Sequence, residues 1–185
     1  MGQPKLLLPW GSSTVVEHLI AQWASAGAAQ VTVVVAHAHE ELASAVRRTG
    51  RAECIANPDP DRGMFSSVRC AVEWPSWSPA LTHWMISLGD QPHLRDATLR
   101  RLIEAAQAEP QSIWQPSHQG RRRHPVMLPK PSFAALAQTH APDLKAFLES
   151  CSISRRALET DDVGLEIDID TPDDYDALST TSTDR

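Results

Sequence analysis

The sequence predicts an α/β fold, a three-layer α/β/α sandwich around a mostly parallel sheet. Three observations lead there. Short apolar runs alternate with amphipathic stretches at intervals that leave room for crossover helices. The run Val31-Thr32-Val33-Val34-Val35-Ala36 is β-branched and nearly continuously apolar, as a strand covered by helices on both faces must be. A second apolar run, Met85-Ile86-Ser87-Leu88, delivers Gly89-Asp90-Gln91-Pro92 to a strand end, and open α/β folds bind ligands at the carboxyl edge of the sheet. Asp90 there is either a site residue or a simple turn former.

The elements follow in order. Thr14 to Ala26 carries Val15, Leu19, Ile20 and Trp23 at helical spacing, with Ser13 or Thr14 as a cap and Gly27 as a stop. The Val31–Ala36 strand is followed by a helix at Glu40 to Arg48 and a short strand at Glu53 to Ala56. A helix at Met64 to Glu73 precedes the strand Trp84 to Leu88, which bears Asp90. Asp96 opens an amphipathic helix through Leu99, Leu102, Ile103 and Ala106, and Ile113-Trp114 is the core of the next strand. Ser132 to His140 and Asp143 to Cys151 read as two short helices. Asp168-Ile169-Asp170 reads as an alternating strand that ends in acid, before a helix beginning at Thr171-Pro172-Asp173-Asp174.

At 185 residues the chain is expected to be one domain, over 1–178, with a polar tail over 179–185. Hydrophobic residues at 42% and charged residues at 22% describe a globular protein, and no apolar stretch approaches the roughly 18–20 residues that span a bilayer. With no secretory signal at the start, a cytoplasmic location is expected. Cys54, Cys70 and Cys151 are far apart and form no Cys-x-x-Cys pair, so they read as buried thiols. A net charge of -6 argues against a nucleic-acid polymer as partner. Arg121-Arg122-Arg123 reads as a solvated loop or a contact for one anionic ligand, and His37 and His39 as a solvent-facing pair.

Three loops carry chemistry. At the opening, Gly2 and Pro4 shape the backbone before Lys5, whose ammonium suits a polyphosphate; an exposed lysine is the plainer alternative. In Asn57 to Ser67, Gly63, Ser66 and Ser67 place N–H groups and hydroxyls at a helix start, which suits an anion or a ribose as well as an ordinary cap. Asp168 and Asp170, two apart, would present their carboxylates together. With Asp90 they would hold a hard divalent cation such as Mg²⁺. Asp173 and Asp174 suit a helix N-terminus for structural reasons alone. His124, ahead of Pro125, either lines a pocket or turns the chain.

Taken together, Gly2 to Pro9, Asn57 to Ser67, Leu88 to Pro92, His124-Pro125-Val126 and Asp168 to Asp174 resemble the MobA-like nucleotidyltransferases, and among them the molybdenum cofactor cytidylyltransferases. The resemblance runs from Met1 to Leu178. It implies that Lys5 contacts nucleotide phosphates, that Asp90 is the principal Mg²⁺ ligand and Asp170 the second, and that the segment around Asn57, Gly63 and Ser67 helps form the pocket. It further implies transfer of CMP from CTP to molybdopterin with release of pyrophosphate, and a molybdoenzyme or its chaperone as the receiving partner.

The family begins with an apolar strand and a glycine-rich Leu-Ala-Ala-Gly-x-Ser-x-Arg loop before the Met-Gly-x-Pro-Lys motif. This sequence starts at that methionine, so the expectation is a domain without its first strand. Arg123 stands where the family has glycine, and Ala141-Pro142-Asp143-Leu144-Lys145 replaces a Gly-Asp-x-Gly-Ala-Arg type segment. Two further readings therefore stand beside the first: an inactive, N-terminally truncated member, and a nucleotidyltransferase for another phosphorylated acceptor.

Overall fold

A computed structural model describes residues 4–179. A 3-10 turn at Lys5–Leu7 and a small hairpin of β1 (Pro9–Trp10) and β2 (Ser13–Thr14) lead into α1 (Val15–Ser25). Thr14 and Glu17 cap that helix reciprocally, each side chain taking the other's backbone N–H, which fixes its start. There follow β3 (Thr32–Ala36), α2 (Glu40–Arg48), β4 (Glu53–Asn57), α3 (Met64–Glu73), β5 (His83–Ile86), α4 (Asp96–Ala108), β6 (Ile113–His118), β7 (Arg121–Arg122) and β8 (Val126–Pro129). The chain ends with α5 (Lys130–Ala135), α6 (Leu144–Ser150), β9 (Arg155–Glu159) and α7 (Pro172–Ser179). The polar tail expected after α7 lies, from residue 180 on, outside the described residues.

The α/β class is as expected, but the strands are mixed in direction. β3 and β4 form a parallel pair in register from Thr32 opposite Glu53 to Ala36 opposite Asn57. A separate five-stranded sheet joins β5 to β8, β8 to β6, and β6 to both β7 and β9. There only β6 and β9 are parallel; β5/β8, β8/β6 and β6/β7 are antiparallel. The cause is connection length. β6 turns back through Gln119 and Gly120, both at positive φ, into β7 and β8, and so short a link permits only antiparallel neighbours.

The layers show in the alternation along the strands. Trp84, Ile86, Val126 and Leu128 pack with α3, α5 and α6, whereas Met85 and Met127 pack with Leu102 and Ala106 of α4. Trp84 stacks on Phe133 with ring centroids 4.5 Å apart. On the other sheet, Val35 joins Val16 and Ile20 of α1 and Leu42 and Val46 of α2.

β3 and β5 do not pair. Between them lies a largely apolar cavity of about 660 Å³. The entry ends of the two strands are tied together by one side chain: Gln30 Nε2 donates to the Ser76 carbonyl at 3.1 Å, and Gln30 Oε1 accepts from Ser78 N–H at 2.8 Å.

Asp168–Asp170 is extended but is not a strand. One backbone bond, from Ile169 N–H to the Asp90 carbonyl at 3.0 Å, holds it beside the Asp90 turn, and the preceding 3-10 turn at Val163–Glu166 leaves no room for a longer ladder. That 3-10 turn is fixed by Asp162, which is fully buried. Its carboxylate accepts from Thr98 Oγ1 at 2.6 Å, from Arg95 N–H at 3.0 Å and from Gly164 N–H at 3.0 Å. Gly164 must be glycine, because a Cβ there would lie 2.4 Å from the His93 carbonyl oxygen.

Among the described residues no helix is long and apolar enough to cross a membrane. The three cysteines are free and half-buried rather than fully buried. His37 and His39 are exposed, as expected.

Candidate active site

The residues singled out in the sequence converge on one edge of the molecule, where the chain leaves β4 and β5. Lys5 Nζ donates to Asp90 Oδ2 at 2.6 Å and to Asp170 Oδ1 at 3.3 Å, so one ammonium bridges two carboxylates 80 positions apart in sequence. Partial burial opposes the charge on Lys5, but the two carboxylates outweigh it and hold its pKa above the ordinary lysine value. The Lys5 amine therefore stays protonated throughout the neutral range.

Asp90 lies in the turn after β5 with its side chain 22% exposed. Its Oδ2 takes the Lys5 proton donor, while Oδ1 is buried and has no hydrogen-bond partner among the described residues. The neighbouring Gln91 is buried as well: its Nε2 donates to Asp168 Oδ1 at 2.7 Å, and its Oε1 also lacks a partner. Two unsatisfied acceptor oxygens beside a carboxylate pair are costly unless a donor or a cation meets them.

Asp168 is thus held by Gln91, whereas Asp170 faces Lys5. Asp174 does what its helix position suggests, accepting from Thr171 N–H at 2.7 Å and capping α7. His124 is part-buried, with Nδ1 3.3 Å from the Ile86 carbonyl. Burial pushes its pKa below the usual histidine value; the Ile86 carbonyl, Asp168 and Asp90 oppose this only in part, so the ring is neutral at pH 7.

The other loop is organised from within. Asn57, almost wholly buried at the end of β4, donates through Nδ2 to Ser66 Oγ at 2.8 Å and Ser67 Oγ at 3.0 Å, and accepts Asp59 N–H at 2.9 Å. Ser66 Oγ donates on to the Gly63 carbonyl at 2.8 Å. Gly63 holds φ at +82° at the start of α3, a conformation that favours glycine, and this frees the helix N-terminus of any side-chain cap. Ser67 and Met64 border the same cavity as Ser87, Leu88, Gly89 and Leu6, so the two loops share one rim. Gly2 lies outside the described residues.

Sequence reasoning did not assign Gln91 or Asp162. Gln91 is part of the Gly-Asp-Gln-Pro turn, and its role needed Asp168, 77 positions away. The one local signal for Asp162 is the Asp-Val-Gly spacing that lets its carboxylate accept from Gly164 N–H.

Residues 1–157 match the model of the MobA-like NTP transferase domain. The chain belongs to that family. It is 26% identical over 178 residues to the molybdenum cofactor cytidylyltransferase of Escherichia coli (strain K12), covering 95% of this chain and 86% of that protein. Among solved structures it resembles Rv0371c from Mycobacterium tuberculosis H37Rv, at 28% identity and TM-score 0.78 over 97% of this chain and 90% of that one. A complex of Rv0371c with manganese superposes with a TM-score of 0.75, again at 28% identity, over 97% and 93% of the two chains. As a member of this family the chain is a nucleotidyltransferase, and the Lys5, Asp90 and Asp170 cluster is its candidate catalytic centre.

Proposed function

We propose that this nucleotidyltransferase transfers CMP from CTP to a molybdopterin-type acceptor, with Mg²⁺ held at Asp90 and Asp170. The observation that carries the reading is the Lys5 ammonium lodged between those two carboxylates, with Asp90 Oδ1 buried and unpartnered. A cation already sits where a divalent cation is expected, and an acceptor oxygen is left over for it. Among the described residues no group of three or more His, Cys, Asp or Glu side chains could hold a metal by itself. That suits Mg²⁺, which keeps several waters and is bound by one or two carboxylates together with substrate phosphates. Asp168, engaged by Gln91, would orient the acidic segment from one residue further out.

When bound, the metal would neutralise charge on the nucleotide phosphates and so favour attack at the α-phosphorus. The protein's own residues do the rest. Lys5 binds a phosphate oxygen and remains charged as the pyrophosphate leaves. Asn57 holds the Gly63–Ser67 loop so that Ser67 Oγ and the uncapped N-terminus of α3 face an anion or ribose. Neutral His124 sits against the Ile86 carbonyl, within electrostatic reach of Asp168 and Asp90. An oxygen of the acceptor's terminal phosphate forms the new P–O bond as the bond to the β-phosphate oxygen breaks. No general base is needed, because that phosphate is already ionised at neutral pH.

Release of pyrophosphate from CTP, GTP or ATP, with molybdopterin and Mg²⁺ present, tests the reading. Preference for CTP is expected, together with a loss of about 100-fold or more in Asp90→Asn, the size of effect seen when one electrostatic group is removed. Near-normal turnover in that variant would sink the metal assignment, and indifference to the base would sink the choice of CTP.

A further inference from the structure

Of the three consecutive arginines after β6, Arg121 and Arg122 are exposed on β7, whereas Arg123 turns back toward the acidic segment. Both of its backbone groups are fixed to β6. Arg123 N–H donates to the Pro116 carbonyl at 2.9 Å, and the Arg123 carbonyl accepts from Nε2 of the buried Gln115 at 3.3 Å. From that base the guanidinium forks onto one carboxylate. Nε donates to Glu166 Oε1 at 2.9 Å and Nη2 to Oε2, while His118 Nδ1, at the end of β6, lies 3.4 Å from Oε1. Two parallel N–H···O bonds fix an orientation as well as a distance.

Glu166 closes the 3-10 turn Val163–Glu166, which leads into the extended run that carries Asp168 and Asp170. Two kinds of contact hold that run. Some come from the site itself: Gln91 on Asp168, the Asp90 carbonyl on Ile169 N–H, and Lys5 on Asp170. Others come from outside it: the Ile169 side chain buried with Trp10, Val15 and Leu19, Asp162 bonded to Arg95 and Thr98 where α4 begins, and Glu166. The distinction matters when the site is used. Once Lys5 turns to a phosphate oxygen, Asp90 and Asp170 lose the cation between them and repel each other. Only the outside contacts are then unaffected. Burial of Ile169 is non-directional, whereas the fork on Glu166 sets the angle at which the run leaves its turn.

Resting on the Mg²⁺ reading above, we propose that Arg123 is a positioning residue for nucleotidyl transfer. Through its fork on Glu166 it sets where Asp170 stands relative to Asp90, and so how tightly the metal is held. Arg123 touches neither metal nor nucleotide in this role. Its charge by itself works the other way, because a guanidinium near the site repels a divalent cation. An ion pair this exposed, with Arg123 32% and Glu166 35% accessible, adds little to global stability, so its loss is read in the site rather than in the fold. Removing an outer partner of a metal ligand typically weakens metal binding by about 10–100-fold.

Mn²⁺, titrated into the 185-residue chain and followed by the paramagnetic signal of the free ion, stands in for Mg²⁺. Arg123→Ala and Glu166→Gln are each expected to weaken Mn²⁺ binding about tenfold, with denaturation midpoints nearly unchanged and the double variant no worse than either single one. Charge alone predicts opposite signs, tighter binding in Arg123→Ala and weaker in Glu166→Gln, and that pattern overturns the proposal. So does wild-type affinity in Arg123→Lys, which keeps the charge but not the fork. Without metal, hydrogen exchange at Ile169 N–H is expected to speed in both variants; unchanged exchange would show that Gln91 and Lys5 hold the run unaided, and overturns it too. In pyrophosphate release the half-saturating Mg²⁺ concentration should rise while the KM for molybdopterin stays put. A raised acceptor KM with unchanged metal binding makes Arg123 a substrate contact instead. If the wild type binds no Mn²⁺, the metal reading falls and this proposal with it, whereas binding that the variants leave unchanged sinks the proposal alone.

Discussion

The two sheets of this molecule are held together by different means. In the five-stranded sheet, β6 and β8 each have partners on both edges, and their residues Ile113, Val126 and Leu128 are almost inaccessible between helix layers. The β3/β4 pair has one ladder only, and it is fixed to the rest by helices, by Leu6 and by the Gln30 amide. The candidate active site straddles the seam. Asp90 follows a strand of the larger sheet, whereas Lys5 lies in the 3-10 turn whose Leu6 and Leu7 pack with α1 and α2, and Asn57 ends β4. A site built across two differently stabilised bodies depends on the weaker one for its geometry, so the comparison bears on function.

The largest effect is expected in the core of the larger sheet. Leu128→Ala removes a side chain that is 0% exposed and should cost about 2–5 kcal/mol of unfolding free energy. Val35→Ala, on β3, should cost less, about 2 kcal/mol, from the smaller side chain lost. Chemical denaturation gives the two totals, and hydrogen exchange shows where each acts. Leu128→Ala should speed exchange throughout, whereas Val35→Ala should speed it in β3 and β4 and leave β6 and β8 unchanged. Uniform acceleration by both variants would show one cooperative body and erase the contrast.

Much of the smaller sheet and its helices was legible in the sequence, because their signals are local. α2 and α3 fall on the residues expected, and α1 is capped by Thr14, one of the two caps expected, through a reciprocal bond with Glu17 that was not foreseen. The larger sheet was read less well. β9 is Arg-Arg-Ala-Leu-Glu, an edge strand with three charged residues, no buried position and no apolar alternation, so nothing local announces it. β8 is fully buried, but it is only four residues long and ends in Pro129, and short apolar runs beside proline read as turns. The expectation of a mostly parallel sheet is met in part: β3/β4 and β6/β9 are parallel, whereas every antiparallel pair of the larger sheet involves β7 or β8, two strands the pattern did not reveal. In the site, Lys5, Asp90 and Asp170 were picked out one by one, whereas the Gln91–Asp168 bond and the Asp162 anchor depend on partners more than 60 positions away.

A smaller effect should come from the tie across the seam. Gln30→Ala removes the bonds to the Ser76 carbonyl and Ser78 N–H near the surface, and should cost about 1 kcal/mol. Its value lies in direction. If the β3/β4 unit moves independently, this variant should raise exchange in β3 and β4 more than its small effect on total stability implies. It should also weaken nucleotide binding without touching a site residue, because Asn57 travels with β4. Unchanged exchange in β3 would show that helix packing alone fixes the seam.

The smallest effect is a pH dependence located where α1 meets the loop after Asp90. His18 and His93 flank Trp10, the His93 ring 4.8 Å from it, and His18 Nε2 lies 3.2 Å from the Pro92 carbonyl. Burial depresses both pKa values in the folded chain below the ordinary 6.5; His18 gains partial relief from Pro92 and Asp96, and His93 is lowered further by His18. The sign follows from linkage. Below about pH 6.5 the unfolded chain takes up protons that the folded one resists, so the stabilisation is complete above that value and is lost as pH falls through the folded pKa values. His124 is depressed in the same direction by its own burial and should add to the loss. Denaturation midpoints at pH 7.5 and 5.5 should therefore differ in the wild type, and differ less in His93→Gln. Because these rings join the Trp10 hairpin and α1 to the Asp90 loop, acid should loosen the seam before it loosens β6 and β8. Exchange that accelerates first in the larger sheet would reverse the order of stability argued for the two bodies.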